Sequence, residues 1–394
     1  MMPTGIRPAA VLFLPSWYPV KHNPVHGIFI QNHAIALSKE IPVIVAYPYT
    51  TENKLKNINL EINHNENLTE VKLAYNKVQT QLPLIKQIIQ LYRYKRACKT
   101  LAEHIKNLNY PILAIQVNVV FPACIGLRVF LRYFQVPYTI TEHWSGYLAE
   151  DGNYKSLFQK YLTKKCITKS QVIWTVSEKQ KTAMIGHGLK GNYQHLYNAV
   201  NTTIFSKKET KTAPPITLLH VSSLVEREKN IRAMLTALAN LKNKKYTFNL
   251  IIAGGNSEQI QYTKNIAKEV NLTDIDFKGS LPQEEISYLM SQSHALLLFS
   301  NFEGMPVVAL EALACELPVL ASKAGALPQI IQEGFGILCK KPTISKIENI
   351  LENFLNGVYS FNYTGMRAFA VKYASYNAVG KQMAKFYKSL PATR

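Results

Sequence analysis

Two glutamates with seven residues between them, Glu303 and Glu311, stand in the stretch Ser300 to Glu316, SNFEGMPVVALEALACE, directly after the apolar run ALLLF. Pro306 is suited to the first position of a helix. That start leaves Glu303 and Gly304 in a strand-to-helix turn, with Met305, Pro306 and Val307 at the junction and Glu311 about one and a half turns further on. The free amides of Val307 and Val308 would then meet phosphate oxygens. Carboxylates beside an anion site address hydroxyls, so Glu311 could accept from a ribose diol and Glu303 from an attached sugar. The plainer alternative makes Glu303 a helix cap and Glu311 a solvated surface residue.

Other residues have chemistry of their own. Lys229, followed by Asn230, opens a helical run, where a cation opposes the helix dipole unless an anion is bound; otherwise it decorates a helix start. His143, flanked by Glu142, Trp144 and Ser145, follows the strand-like run Tyr138 to Thr141, so a polar cluster stands at a strand's carboxyl end. It is a site residue or a satisfied structural histidine. Gly27 lies between a loop and a helix, where a missing side chain permits close backbone approach, or where it is an ordinary turn. His22 and His26 flank Pro24, which makes a poor metal platform. No Asp-x-Asp stands out as a metal clamp and no G-x-G-x-x-G follows the first strand, so neither a metal nor a dinucleotide cofactor is expected. Gly254 and Gly255 make a turn too short for a phosphate loop.

These residues must be positioned by alternating elements. Apolar runs at Ala9 to Leu14, Val43 to Tyr47, Ile112 to Gln116, Tyr138 to Thr141 and Val172 to Val176 predict strands, and helical spacing appears at Ile28 to Ser38 and Leu82 to Leu108. Thr50 to Thr80 is polar and has no assignment. The second half repeats the grammar more cleanly. Strands are predicted at Ile216 to His220, Asn249 to Ala253, Ile275 to Phe277, Ala295 to Phe299 and Pro318 to Ala321. Helices are predicted near Asn230 to Leu241, Glu258 to Glu269, Gln283 to Ser291, Val307 to Cys315 and Leu327 to Ile331. Alternation implies parallel sheets with helices on both faces. The polar, Pro-terminated stretch Asn201 to Pro215 reads as a linker. We therefore expect an α/β protein with two doubly wound domains, 1–204 and 205–372. A helical segment, 373–394, is expected to return to the first. Two such sheets facing each other place a site in the cleft between them.

The chain has 394 residues, 47% of them hydrophobic and 18% charged, enough for large cores and more than one domain. Five scattered cysteines with no C-x-x-C argue against a disulfide scaffold or zinc knuckle. The opening apolar run is too short for a signal peptide, and Gln116, Asn118 and Arg128 interrupt the most apolar candidate for a membrane span. A cytoplasmic location is expected. Charge is the extreme quantity: 45 Lys and Arg against 25 Asp and Glu give +20, which favours polyanions. Residues 72–106 hold eight basic side chains and one acid, Glu103. Trp17, Trp144 and Trp174 are scattered, without a basic-aromatic platform, so nucleic acid is not an expected partner.

The segment around Glu303 and Glu311 resembles the E-x7-E motif of the retaining GT4 glycosyltransferases, which have the two-Rossmann-domain GT-B fold. Further pieces agree in order along nearly the whole chain: FLPSWYP through GIFIQNHA, TEHWSGY, TVSE, LYNAVN, HVSSLVEREKN, IIAGGN, FKGSLPQEEI and PVLASKAGALPQII. The resemblance implies a UDP- or GDP-sugar donor and retaining, metal-independent transfer of a hexose-type unit, with the leaving phosphate as base. The acceptor would be a hydroxyl of a glycan or lipid-linked oligosaccharide in surface polysaccharide synthesis. It assigns catalytic roles to His143, Lys229 and Glu303, and donor contacts to Gly27, Ser223, Met305, Pro306, Val307 and Glu311. Trp144, Ser145, Ser177 and Asn198 would face the cleft or acceptor. Two positions depart from the family. Ser223 stands where an Arg usually helps Lys229 neutralise the diphosphate, leaving Arg227 as a substitute of unread direction. Gln329 replaces a usual Glu. Alternatives are another GT-B enzyme, such as a nucleotide-sugar epimerase or a sugar phosphorylase, or a non-catalytic basic protein binding membranes or nucleic acid.

The basic segment adds one expectation. If Leu82 to Leu108 is helical, Ile85, Ile88, Ile89 and Tyr92 form an apolar stripe flanked by Lys86, Arg93, Arg96 and Lys99, a pattern suited to an anionic membrane surface. Its alternative is an ordinary amphipathic helix whose stripe packs into the first domain.

Overall fold

The computed structural model describes residues 7–52, 59–208 and 215–391, so part of the expected linker, 209–214, lies outside the described residues. The first half contains β1 (Ala10–Pro15), α1 (Ile28–Ser38), β2 (Val43–Thr51), β3 (Asn59–Asn65), β4 (Leu68–Asn76), α2 (Pro83–Asn107), β5 (Ile112–Asn118), α3 (Val120–Phe134), β6 (Tyr138–Glu142), α4 (Leu157–Thr168), β7 (Ile173–Thr175), α5 (Glu178–Gly186) and β8 (Tyr193–His195). They form an eight-stranded sheet, β3-β4-β2-β1-β5-β6-β7-β8. All its pairs are parallel except β3–β4. That antiparallel pair corrects the expectation of purely parallel pairing. It falls in the stretch without an assignment because Thr69, Glu70 and Lys72 are buried in β4, hiding the strand behind polar residues.

The second half contains β9 (Ile216–Ser222), α6 (Glu226–Lys229), α7 (Ile231–Asn243), β10 (Phe248–Gly254), α8 (Ser257–Glu269), β11 (Asp276–Gly279), α9 (Gln283–Gln292), β12 (Ala295–Leu298), α10 (Val307–Ala314), β13 (Val319–Ser322), α11 (Leu327–Ile330), β14 (Gly336–Cys339) and α12 (Ile344–Leu355). Its six-stranded parallel sheet runs β11-β10-β9-β12-β13-β14. The order reverses between β9 and β12, which opens a crevice at their carboxyl ends. The first sheet has the equivalent point between β1 and β5. Continuous apolar runs such as Leu296, Leu297 and Leu298 follow from burial on both faces.

The chain ends in α13 (Tyr363–Phe369), a π turn (Ala370–Ala374) and α14 (Tyr376–Ser389). α14 crosses back and packs on α1, burying Val379, Met383 and Tyr387 with Phe13, Ile30 and Trp174. The Tyr387 hydroxyl donates to Gln116 Oε1 at 2.5 Å and lies 2.8 Å from Thr139 Oγ1, so the last helix is bonded into the middle of the first sheet. Arg367 donates to the carbonyls of Thr202, Phe205 and Ala314, tying the crossing at 202–205 to the end of α10.

Candidate active site

The turn after β12 is held from three sides. Ser300 Oγ donates to Glu303 Oε1 at 2.7 Å, and Lys229 Nζ reaches the same oxygen at 2.7 Å, with side-chain exposures of 13% for Lys229 and 9% for Glu303. Asn301 N–H donates to the Glu228 carbonyl (2.8 Å) and Asn301 Nδ2 to that of Arg227 (3.1 Å), which locks α6 against the turn and brings Lys229 to Glu303. Ala326 N–H donates to the Gly304 carbonyl at 2.8 Å. Gly325 makes that approach possible: its φ is +52°, and a Cβ there would lie 2.2 Å from the Glu303 carbonyl oxygen.

Pro306 has φ −68° and ψ 113° and is the residue before the helix, not its first, so α10 begins at Val307, where the helical run is predicted to start. No side chain caps it. The amides of Val307 and Val308 have no intrahelical acceptor, and both residues are half-buried. Glu311, one turn on, is half-buried, and no hydrogen bond or ion pair holds its carboxyl among the described residues. Burial lifts it from 4.5 to about 8, so the ligand-free protein keeps it mostly neutral at pH 7.

The facing wall is organised by Glu142, which sequence reasoning treated only as a neighbour of His143. Its buried carboxylate accepts from the amides of Val120 (3.1 Å), His143 (2.9 Å) and Trp144 (2.9 Å) and from the Tyr147 hydroxyl (3.1 Å). The loop after β6 is thereby fixed. His143 is 8% exposed, neither ring nitrogen has a partner among the described residues, and its ring lies 4.5 Å from Phe29 and 5.3 Å from His33. Burial, and then the neighbouring His33, push its pKa well below 6.5, so the ring is neutral. Asn198 faces the ring and slightly favours its charged form, but no hydrogen bond joins them and Asn198 Oδ1 is also without a partner.

Between these walls lies a cavity of about 390 Å³. Trp17, Phe29, His143 and Trp144 line it from the first domain, and Glu228, Glu303, Gly304 and Met305 from the second. Contacts cross it. Asn198 Nδ2 donates to the Met305 carbonyl at 2.9 Å, and Glu178 N–H donates to Gln329 Oε1 at 3.2 Å. Arg227 reaches the first domain, where its Nη2 donates to the Asp151 carbonyl at 2.5 Å and also contacts the carboxylate at 3.3 Å. A Cβ on Gly304 would lie 3.0 Å from the His143 carbonyl oxygen.

His143, Trp144, Ser145, Asn198, Glu303 and Met305 thus line one cavity, and Lys229 joins them through Glu303. Ser145 Oγ donates at 2.6 Å to Asp151, which lines the same cavity. Pro306, Val307, Glu311, Ser177, Ser223 and Gly27 are not among the lining residues. Ser177 is buried as the cap of α5, accepting from Gln180 N–H at 3.1 Å. Ser223 is exposed beyond β9. Gly27 has φ +74°, and a Cβ would lie 2.6 Å from the Trp17 carbonyl, so protein packing alone demands glycine there. Trp17 and Trp144, scattered in sequence, meet here; Trp17, Phe29, Asp151, Asn153 and Glu228 are additions that no local pattern marked. A second hollow, about 340 Å³, lies at the amino ends of the second sheet's strands. Asp274 and Asp276, an Asp-x-Asp that did not stand out in the sequence, line it there, and Lys278 pairs with Asp276 at 2.8 Å. Among the described residues no three His, Cys, Asp or Glu side chains gather as a metal set.

Two Rossmann-like domains with this cleft define the GT-B architecture. Solved structures share it over nearly the whole chain. Sucrose-phosphate synthase of Thermosynechococcus elongatus is similar with a TM-score of 0.74 at 18% identity, covering 97% of this chain and 98% of that one. Anabaena HepE in complex with UDP and glucose has a TM-score of 0.69 at 15% identity, covering 98% and 100%. Residues 201–362 match the family model of glycosyl transferases group 1. An uncharacterized glycosyltransferase of Methanocaldococcus jannaschii is 27% identical over 241 residues, a match spanning 60% of this chain and 64% of that relative, less than two thirds of its length.

Proposed function

We propose that the protein transfers a hexose-type unit from a nucleoside diphosphate sugar, UDP- or GDP-linked, to a hydroxyl of a glycan or lipid-linked oligosaccharide, with retention, as GT4 enzymes of surface polysaccharide synthesis do. The observation that carries this reading is that the buried His143 ring and Asn198 Oδ1, without partners among the described residues, share one cavity with Glu303, which is paired to Lys229. The uncapped start of α10 follows directly on Met305 of that lining, and Glu311 stands one turn further along the helix. The diphosphate lies at the α10 amides and Lys229, whose charge stabilises its departure without a metal. Glu311 accepts from the ribose diol, Glu303 from the sugar, and neutral His143 and Asn198 bond sugar hydroxyls from above. The acceptor enters beside Trp144 and Asp151 and attacks the face the diphosphate leaves, with the departing phosphate taking the proton. The UDP and UDP-glucose bound by HepE support a nucleotide-sugar donor.

Thermal shifts with UDP, GDP, ADP and their sugars test the donor site, because a ligand at a hundred times its Kd stabilises by about 2.7 kcal/mol. A shift with one nucleoside diphosphate and a new glycosidic bond of retained configuration, formed in EDTA, is expected. No shift with any of them defeats the reading. A free epimerised sugar nucleotide, or a requirement for inorganic phosphate, replaces it with an epimerase or a phosphorylase.

A further inference from the structure

Half of the molecule's net charge sits on three helices that contribute no residue to the cavity lining. The cavity itself is lined by Asp151, Glu228 and Glu303, and the nearby cations Lys229 and Arg227 are both engaged by carboxylates. By contrast, α2, α3 and α4 together carry eleven Lys and Arg against one acid, Glu103, a net +10 out of +20. The three helices lie side by side on one face of the first sheet, α2 against α3 and α3 against α4.

The same helices expose apolar side chains at their beginnings. On α2, Leu84 is 75% exposed and Ile88 68%, with Ile85 and Tyr92 beside them, while the second half buries Tyr94, Cys98, Leu101 and Ile105. Of the stripe predicted from sequence, Ile85, Ile88 and Tyr92 are therefore exposed and Ile89 is half-buried. On α4, Leu157 is 82% exposed, followed by Phe158 and Tyr161. A helix that follows a strand of a parallel sheet starts at that strand's carboxyl edge. Both clusters thus stand on the rim that opens into the cleft. Leu157 is only four residues beyond Asn153, which lines the cavity, so the chain separates them by at most about 14 Å.

Apolar side chains standing out of a strongly basic face have few fitting partners. A second copy of the chain would bring a net +10 against +10. Nucleic acid would use the cations but has no use for Leu84, Ile85, Ile88 and Leu157. A bilayer with anionic headgroups takes both: the aliphatic tips enter the headgroup–acyl boundary and the lysines and arginines meet the phosphates. We propose that the first halves of α2 and α4, with the cations between them, dock the protein on an anionic lipid bilayer and hold the mouth of the cleft at its surface. Docking requires no membrane span, and among the described residues no helix is long and apolar enough to cross one.

The test is flotation of the full chain with vesicles of phosphatidylcholine, alone or mixed with phosphatidylglycerol, at low and high salt. The parent floats with the mixed vesicles at low salt and is released at high salt. Leu84→Ser with Ile88→Ser, or Leu157→Ser with Phe158→Ser, lowers partitioning at least about tenfold at unchanged charge. Lys86→Gln, Lys95→Gln, Arg96→Gln and Lys164→Gln together lower it at least about a hundredfold, since each cation near such a surface contributes a factor of about five. All three variants keep the parent's unfolding midpoint and its nucleotide-induced shift, which separates this face from the donor site. A parent that ignores anionic vesicles overturns the proposal. So do serine variants that bind like the parent, serine variants that abolish a dimer, and an RNA affinity exceeding that for vesicles and untouched by the serine changes.

Discussion

Glu311 carries opposite demands. A half-buried carboxyl without a partner resists ionisation, yet a ribose diol prefers the ionised acceptor. Because its folded-state value is raised from 4.5 to about 8, the folded protein binds more protons than the unfolded chain between those values, and stability falls as pH rises through that window. Glu311→Gln is therefore expected to raise the unfolding midpoint relative to the parent progressively from pH 5 to pH 8, while weakening nucleotide binding. Calorimetry of the parent at pH 7 in buffers of different ionisation enthalpy should register proton release on binding. A lower midpoint at pH 8, or unchanged affinity, contradicts the assignment. Lys229 and Glu303 share a different constraint, since each neutralises the other away from water. Lys229→Met strands a buried carboxylate, a loss of about 3–5 kcal/mol in stability. Lys229→Met with Glu303→Gln should recover most of that stability but none of the turnover. Joint recovery would leave the pair a purely structural ion pair.

At the scale of elements, the turn that carries Glu303 depends on a loop from another strand. Gly325, after β13, fits under the carbonyls of Glu303 and Gly304 only because it has no side chain and a left-handed backbone. Gly325→Ala costs about 1–2 kcal/mol for the backbone alone, and the methyl must displace the Glu303 carbonyl as well. We expect a lower unfolding midpoint and turnover reduced at least about tenfold, since misplacing a catalytic group by about 1 Å is enough for a hundredfold loss. Wild-type turnover with the loop intact would show that the turn tolerates movement. Glu142 works similarly on the facing wall, where four donors to one carboxylate set the path of His143 and Trp144.

For the whole molecule, the last helix matters most to the first domain. Tyr387 meets Thr139 and Gln116 across more than 240 residues of sequence. Tyr387→Phe keeps the ring and removes the hydroxyl, leaving buried Gln116 Oε1 without its donor, a loss of about 1–3 kcal/mol. Denaturant unfolding should register that loss with nucleotide binding unchanged. A neutral result would mean that α14 is held by its apolar face alone.

Alternation of apolar runs was legible because every buried parallel strand must be continuous in hydrophobicity, and so were the strand-to-helix turn at Glu303 and the polar cluster at His143. Helix α1 appears at the residues its spacing predicted, Ile28–Ser38. The β3–β4 pair was not legible, since a strand carrying Glu70 and Lys72 inside reads as a loop until the Tyr18 hydroxyl and Gln31 are seen donating to that glutamate. Nor could the sequence tell which carboxylate each cation meets. Arg227 and Lys229 are two residues apart, yet one turns to Asp151 and the other to Glu303, because α6 is pinned to a turn seventy residues later. Local composition determines which segments form strands and helices. Which polar groups stand together without partners is decided by sheet order and by the meeting of two domains, since those partners are far apart in the chain and burial sets the energy of leaving them unpaired.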